Sequence, residues 1–240
     1  MNARTQNKTR RISDLVGVGL YTVREASRLS GADPRSIRRW LFGYSYTGND
    51  KLRKESPPLW SGDLAEREFD HIKALSFLDL MEIRMVKAFR KHGVSWQKIR
   101  QAAEYACKEY DQHHPFTMRK FRTDGKRIFA HIFEKTKPKM LDLNRKSYVM
   151  ENIVAPSLFE GIKFEHEQAA RWFPEWGNKK IVVDPKRSFG RPILFNEGVP
   201  TDIIAKAVKV EDSVVEVAKW YDLNIASVRS AVLFEEKLAA

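Results

Sequence analysis

The sequence predicts a mainly α fold with small β-hairpins: an N-terminal winged helix-turn-helix, a short β-containing middle region, and a C-terminal three-helix, homeodomain-like domain. Three observations predict it. Two short amphipathic stretches meet at Ser30-Gly31. Apolar residues then recur at helical spacing through residues 69–110. Beyond a short β-prone run at Ile181, helix-start signals recur at Thr201, Ser213 and Asn224.

Residues 1–14 are polar, basic and without periodicity, which predicts a flexible arm. Thr22 is placed to cap a first helix with Val23, Ala26 and Leu29 on one side. Ser30-Gly31 ends it, because glycine takes the left-handed terminal conformation at little cost. Asp33-Pro34 opens a second helix, with aspartate at the cap and proline in the first turn. At 100° per residue, Ile37, Trp40 and Leu41 fall on one side of it, and Arg35, Arg38 and Arg39 on the other. An apolar stripe backed by outward arginines is the layout of a recognition helix, whose guanidiniums reach guanine edges or phosphates. A solvated arginine face on an ordinary helical hairpin has the same pattern, so the wheel alone leaves both open.

Residues 42–60 lose the helical period. Tyr44, Tyr46, Gly48-Asn49, the cations Lys51, Arg53 and Lys54, and then Pro57-Pro58 predict a short hairpin, or wing. Residues 69–91 read as one long helix striped by Leu75, Leu78, Met85, Val86 and Phe89. Leu80 and Ile83 lie off that stripe, which suits either a core helix or a dimer contact. Ser95 caps a further helix to about Tyr110. Residues 115–180 read as a connecting α+β region. There Phe116–Phe121 and Ile128–Phe133 flank Asp124-Gly125 as a hairpin. Tyr148–Val154 and the aromatic run Trp172-Phe173-Pro174-Glu175-Trp176 follow. Residues 181–240 form the small helical domain: a strand at Ile181–Val183, a helix from Thr201, a Ser213/Glu216 capping box, and a last helix capped by Asn224. Residues 15–110 are then the DNA-binding unit, and 181–240 the unit for dimerisation or partner binding.

Composition narrows the function. The 240 residues carry 43 lysines and arginines against 31 aspartates and glutamates, a formal charge of +12. The excess is +7 over residues 1–60, +6 over 61–180 and −1 over 181–240, so a phosphate-binding surface is expected in the first two-thirds. The chain has no apolar run of membrane-spanning length and no secretory h-region, which predicts a cytoplasmic protein. One cysteine, Cys107, cannot make an internal disulfide or a thiolate zinc cage. The six histidines show no ligand spacing, and the adjacent His113-His114 point apart. No phosphate-binding glycine loop or His-Glu-x-x-His occurs. No enzyme, cofactor or metal site is expected.

Tyr21–Gly31 with Ser36-Ile37-Arg38-Arg39-Trp40 resembles the helix-turn-helix of MerR-like winged-helix regulators. More distinctive are Leu75–Glu82, Phe89–Ser95 with Ile99-Arg100, and Phe121–Gly125. Val183-Asp184-Pro185, Phe189–Pro192 and Val217–Tyr221 resemble a small domain found in VapB-type antitoxins. Together they cover nearly all the chain from Leu20 and resemble the VapB-type antitoxin-like family. The resemblance implies a type II antitoxin that neutralises a PIN-domain ribonuclease toxin and represses its own operon as a homodimer on double-stranded operator DNA. It implies DNA contacts at Thr22, Arg24, Arg35, Ser36, Arg38 and Arg39, with wing contacts at Lys51, Arg53 and Lys54. The chain lacks the metal-binding cysteines of a MerR effector domain, so no metal sensing is implied. A stand-alone winged-helix regulator without a toxin is the alternative, and a nucleic-acid-processing enzyme the third reading.

Overall fold

A computed structural model of the protein describes residues 15–64, 68–69, 72–134, 156–175 and 177–239. The expected basic arm at 1–14 and the segment Tyr148–Val154 lie outside the described residues.

The helix-turn-helix forms where its local signals place it. Helix α1 (Val23–Ser30) starts at a reciprocal capping box. The Glu25 amide donates to Thr22 Oγ1 at 3.2 Å, and the Thr22 amide donates to Glu25 Oε2 at 2.7 Å. Gly31 ends α1 at φ 64°, a conformation that favours glycine. Helix α2 (Pro34–Phe42) begins at Asp33, whose carboxylate accepts from the Ser36 amide at 2.8 Å. Strands β1 (Tyr44–Thr47) and β2 (Arg53–Ser56) pair antiparallel as the wing, with Tyr44 opposite Ser56 and Thr47 opposite Arg53.

The expected helix over 69–91 is shorter than its periodicity. Two-residue strands β3 (Glu68–Phe69) and β4 (Ile72–Lys73) come first. Leu75 bridges Tyr21 through two backbone hydrogen bonds of 2.9 and 2.8 Å. Only then does α3 (Phe77–Lys91) start, from a Ser76/Asp79 capping box. The cap and the bridge override the apolar period upstream of them. Both apolar faces of α3 are consumed inside the chain, since Leu80, Ile83, Met85, Val86 and Phe89 are all buried. α3 is therefore the central core helix and offers no dimer face. Helix α4 (Trp96–Tyr110), capped by Ser95, packs beside it.

The expected hairpin at 116–133 is a helix. After a helical turn at Pro115–Thr117, α5 (Arg119–Glu134) runs straight through Asp124-Gly125. Phe121, Gly125, Ile128, Phe129, Ile132 and Phe133 are all buried and recur every three or four residues, which is a helical period and not an alternation of two. Phe89, Phe116, Phe121 and Phe129 interlock edge to face and tilted, with ring centroids 4.9–6.3 Å apart. That tertiary gain outweighs the turn preference of Asp-Gly and its roughly 1 kcal/mol helix penalty.

Strands β5 (Ile162–Glu165), β6 (Gln168–Trp172), β7 (Ile181–Val183) and β8 (Pro192–Leu194) form one antiparallel sheet in that order. The Trp172–Val183 pairing carries the sheet across the boundary expected at 180/181. Three helices follow: α6 (Thr201–Glu211), α7 (Val214–Trp220) and α8 (Ile225–Ala239). Asn224 caps α8 by accepting from the Ser227 amide at 2.7 Å. The expected capping box at Ser213 is only half made. Ser213 accepts from the Glu216 amide, but the Glu216 carboxylate turns to Lys219 Nζ at 2.8 Å. The three helices enclose a core of Ile204, Val217, Val228, Ala231 and Phe234, on which Ile181 and Leu194 of the sheet also pack.

Candidate nucleic-acid interface

Helix α2 is held by everything on its inner side. Ile37, Trp40 and Leu41 are buried, and Trp40 meets Trp96 of α4 edge to face at 5.4 Å. The turn before it is tied by side chains. Ser27 Oγ donates to Ala32 O at 2.7 Å, the Ala32 amide donates to Ser30 Oγ at 3.1 Å, and Lys87 Nζ donates to Ser30 O at 3.0 Å. With those positions fixed, Arg35, Arg38 and Arg39 project into solvent. Arg35 and Arg38 make no hydrogen bond or ion pair among the described residues. Arg39 is braced instead, its guanidinium 5.3 Å from the centre of the Tyr44 ring at the start of the wing. Asp33 lies at the same end, and its caps to Ser36, with the charge of Arg35, hold its carboxyl below the usual range.

The other expected contacts divide. Arg24 is exposed on α1, whereas the Thr22 hydroxyl is committed to Glu25 and acts as a cap. Ser36 is half-buried, with its amide spent on Asp33. On the wing, Lys51 takes a left-handed φ of 59° at the tip, Arg53 donates to Ser45 Oγ at 3.2 Å, and Lys54 pairs with Asp50 at 2.8 Å. Lys54 must give up that exposed pair to reach a phosphate, a small cost in water.

One residue that holds the wing was given no role by the sequence reading. Arg100, on α4, clamps the base of the wing. It donates to Pro58 O at 3.0 Å, Pro57 O at 2.9 Å and Ser56 Oγ at 3.3 Å. In the sequence Arg100 stood out only within a motif, and Pro57-Pro58 only as the end of the hairpin.

Beneath the interface lies a buried polar knot. Glu82 Oε1 accepts from the Phe116 amide at 2.8 Å and the Thr117 amide at 3.2 Å. Trp60 Nε1 donates to Asp79 at 2.7 Å, and His114 Nε2 pairs with Asp63 at 2.9 Å. Burial pushes the Glu82 carboxyl up to about 8. Burial also opposes the His114 imidazolium, but the hydrogen bond to Asp63 and the charges of Asp79, Asp63 and Glu82 outweigh it and raise its pKa. No group of three or more His, Cys, Asp or Glu among the described residues is arranged to hold a metal. Cys107, half-buried on α4, has its thiol pushed up to about 11, chiefly by burial, which disfavours the thiolate.

A family model described as "Putative DNA-binding HTH domain" matches residues 19–103, and one described as "Protein of unknown function (DUF433)" matches residues 181–234. The first spans α1 to α4 with the wing, and the second spans β7 to α8. Over 226 residues the chain is 25% identical to "Putative antitoxin VapB45" of Mycobacterium tuberculosis, covering 90% of this chain and 93% of that one. The chain is therefore similar, along most of its length, to a protein named as a VapB-type antitoxin, and it matches the helix-turn-helix model near one end and the DUF433 model near the other. A crystal structure of Rv2018 from Mycobacterium tuberculosis shares the fold, with a TM-score of 0.66 at 20% identity over 88% of this chain and 96% of that one.

The two matched modules are locked together. Tyr21 Oη donates to Gly190 O at 2.7 Å, the Leu20 amide donates to Phe189 O at 2.9 Å, and Arg28 pairs with Glu235 at 3.1 Å. Leu29 packs on both cores. No helix among the described residues is long and apolar enough to cross a membrane.

Proposed function

We propose that the chain is the DNA-binding antitoxin of a type II toxin–antitoxin pair. In this reading it represses its own operon through α2 and the wing and neutralises a PIN-domain ribonuclease toxin. The observation that carries the DNA half is the unpaired Arg35/Arg38 face of α2, beside Arg39 braced on the cationic wing. The partner half rests on similarity along 90% of the chain to a protein named as an antitoxin. Two copies on one operator would read two half-sites and add their binding free energies.

Binding to operator and to scrambled DNA across a salt series, together with capture of the protein encoded by the adjacent gene, tests both halves. Arg35 sits in the first turn of α2, where recognition helices meet base edges. Arg35→Ala is therefore expected to lose roughly 1–3 kcal/mol of discrimination between the two DNAs. Lys54→Ala is expected to weaken both alike and to lower the salt slope by about 1. Arginine variants that bind both DNAs as the parent does would remove α2 as the reader. Failure to bind a neighbouring nuclease would leave a stand-alone regulator.

A further inference from the structure

Helices α7 and α8, joined by a short turn, close the C-terminal module as α1 and α2 open the first. Their outward face differs. Where α2 shows three arginines, α7 and α8 expose Val215, Trp220, Tyr221, Ile225 and Leu233, and the module is near neutral. Such a face does not suit a polyphosphate, and an apolar patch rimmed by charge marks a protein contact.

The stripe on α8 shows what would cover it. Ser227, Val228, Ala231 and Phe234 are buried on the inner side, and Glu235 reaches Arg28 and Thr201. At 100° per residue, Ile225, Arg229, Leu233 and Glu236 fall within roughly 80° of one another on the opposite side. Neither Arg229 nor Glu236 has a hydrogen bond or ion pair among the described residues, although each neighbour of Glu236 does: Glu235 with Arg28, Lys237 with Glu175. The two unpaired charges are of opposite sign and flank Leu233, one four residues before it and the other three residues after. A two-fold axis through Leu233 would bring a second α8 in antiparallel. It would stack leucine on leucine and set each Arg229 against the other copy's Glu236, their axial offsets of about 6 and 4.5 Å differing by one residue's rise.

We infer that α8 is the self-association surface of this chain, docking against α8 of a second copy in an antiparallel, isologous contact centred on Leu233. A two-fold interface must be self-complementary, and this stripe is. The contact lies on the far side of α8 from Arg28, so it leaves the joint to the helix-turn-helix intact. It is short, since 15 residues span about 22 Å, so the dimer is weak and its occupancy depends on concentration. The inference needs neither the DNA nor the toxin reading. A chain that dimerises without shifting DNA keeps the one and loses the other.

Sedimentation velocity of the full chain over a range of micromolar concentrations provides the test. The parent is expected to show a concentration-dependent dimer, and Leu233→Asp to stay monomeric. Arg229→Glu and Glu236→Arg should each weaken self-association at least tenfold, because each sets like charges opposite one another. An equimolar mixture of these two variants should recover the parent's dimer, since each copy then supplies what the other lacks. All three side chains point outward from α8, and an unchanged melting temperature checks that each variant folds. A parent that is monomeric throughout overturns the inference. So do charge variants that dimerise like the parent, or a mixture no tighter than either alone. A monomeric parent whose Leu233→Asp variant fails to capture the neighbouring gene's protein gives the face to that partner instead, and equally overturns self-association.

Discussion

Trp40 and Glu82 show how unequally side chains of one core announce themselves. Trp40 was legible: its position on the wheel put it inside, and it is 8% exposed against Trp96. Trp40→Ala is expected to cost about 3–5 kcal/mol, enough to melt the N-terminal module in a thermal scan, whereas Arg38→Ala should leave the melting temperature unchanged. Glu82 was not legible, because nothing in a helical apolar pattern says that one acid will meet two free amides of a turn more than thirty residues later. Its carboxyl titrates near 8 in the fold and near 4.5 unfolded, so the native state holds the proton more tightly and stability falls as pH rises between those values. His114 acts in the same direction. Its raised pKa contributes stability below its unfolded value, and that contribution is lost as pH climbs through the folded one. Glu82→Gln keeps the accepting oxygen and removes the charge. The variant should match the parent near pH 4 and melt higher at pH 8, by roughly 2–4 °C for each kcal/mol recovered. A variant that melts lower at pH 8 would mean that the ionised carboxylate is what the turn requires.

At the scale of elements, legibility followed local chemistry. α1, α2 and α4 carry their own caps, and the wing carries its own turn, so each could be read from a few neighbouring residues. The start of α3 and the whole of α5 are decided by partners. A bridge to Tyr21 holds Leu75 extended, and a four-phenylalanine cluster keeps Asp124-Gly125 helical. The wing is legible as a hairpin but not as a placed hairpin, because its position depends on Arg100 forty residues away. Arg100→Ala should therefore free the wing without unfolding the module. The β1–β2 amides are expected to exchange faster with solvent, and operator and scrambled DNA to be bound several-fold more weakly by the same factor. Arg100→Lys should not restore binding, since a single ammonium cannot reproduce the guanidinium fork across three oxygens. Unchanged exchange in β1 and β2 would show that the wing holds itself.

Across the whole molecule, units that sequence reading set apart are joined: one sheet runs from the connecting region into the C-terminal module, and one joint ties that module to the N-terminal one. The charge split had suggested a basic reader with an independent neutral partner domain, and composition carries no information about docking between them. The joint turns on Gly190. Its φ of 83° suits glycine, and a Cβ there would overlap the Tyr21 hydroxyl that donates to Gly190 O. Tyr21 also bridges Leu75 at the head of α3 and immediately precedes the cap of α1. Displacing its ring disturbs the reader's entry as well as the joint. Gly190→Ala is expected to cost on the order of 1–3 kcal/mol, from the strained backbone and the overlap together. Tyr21→Phe alone removes one hydrogen bond and should cost about 1 kcal/mol. The double variant carries the informative number. Without the hydroxyl the new methyl loses its nearest obstacle, so the double should be more stable than the two single losses predict by addition. Denaturant unfolding of the four proteins measures that difference. Strict additivity would place the cost of Gly190→Ala in its backbone alone, and the two modules would then be held by the Arg28–Glu235 pair and the Leu29 contact without help from this close approach.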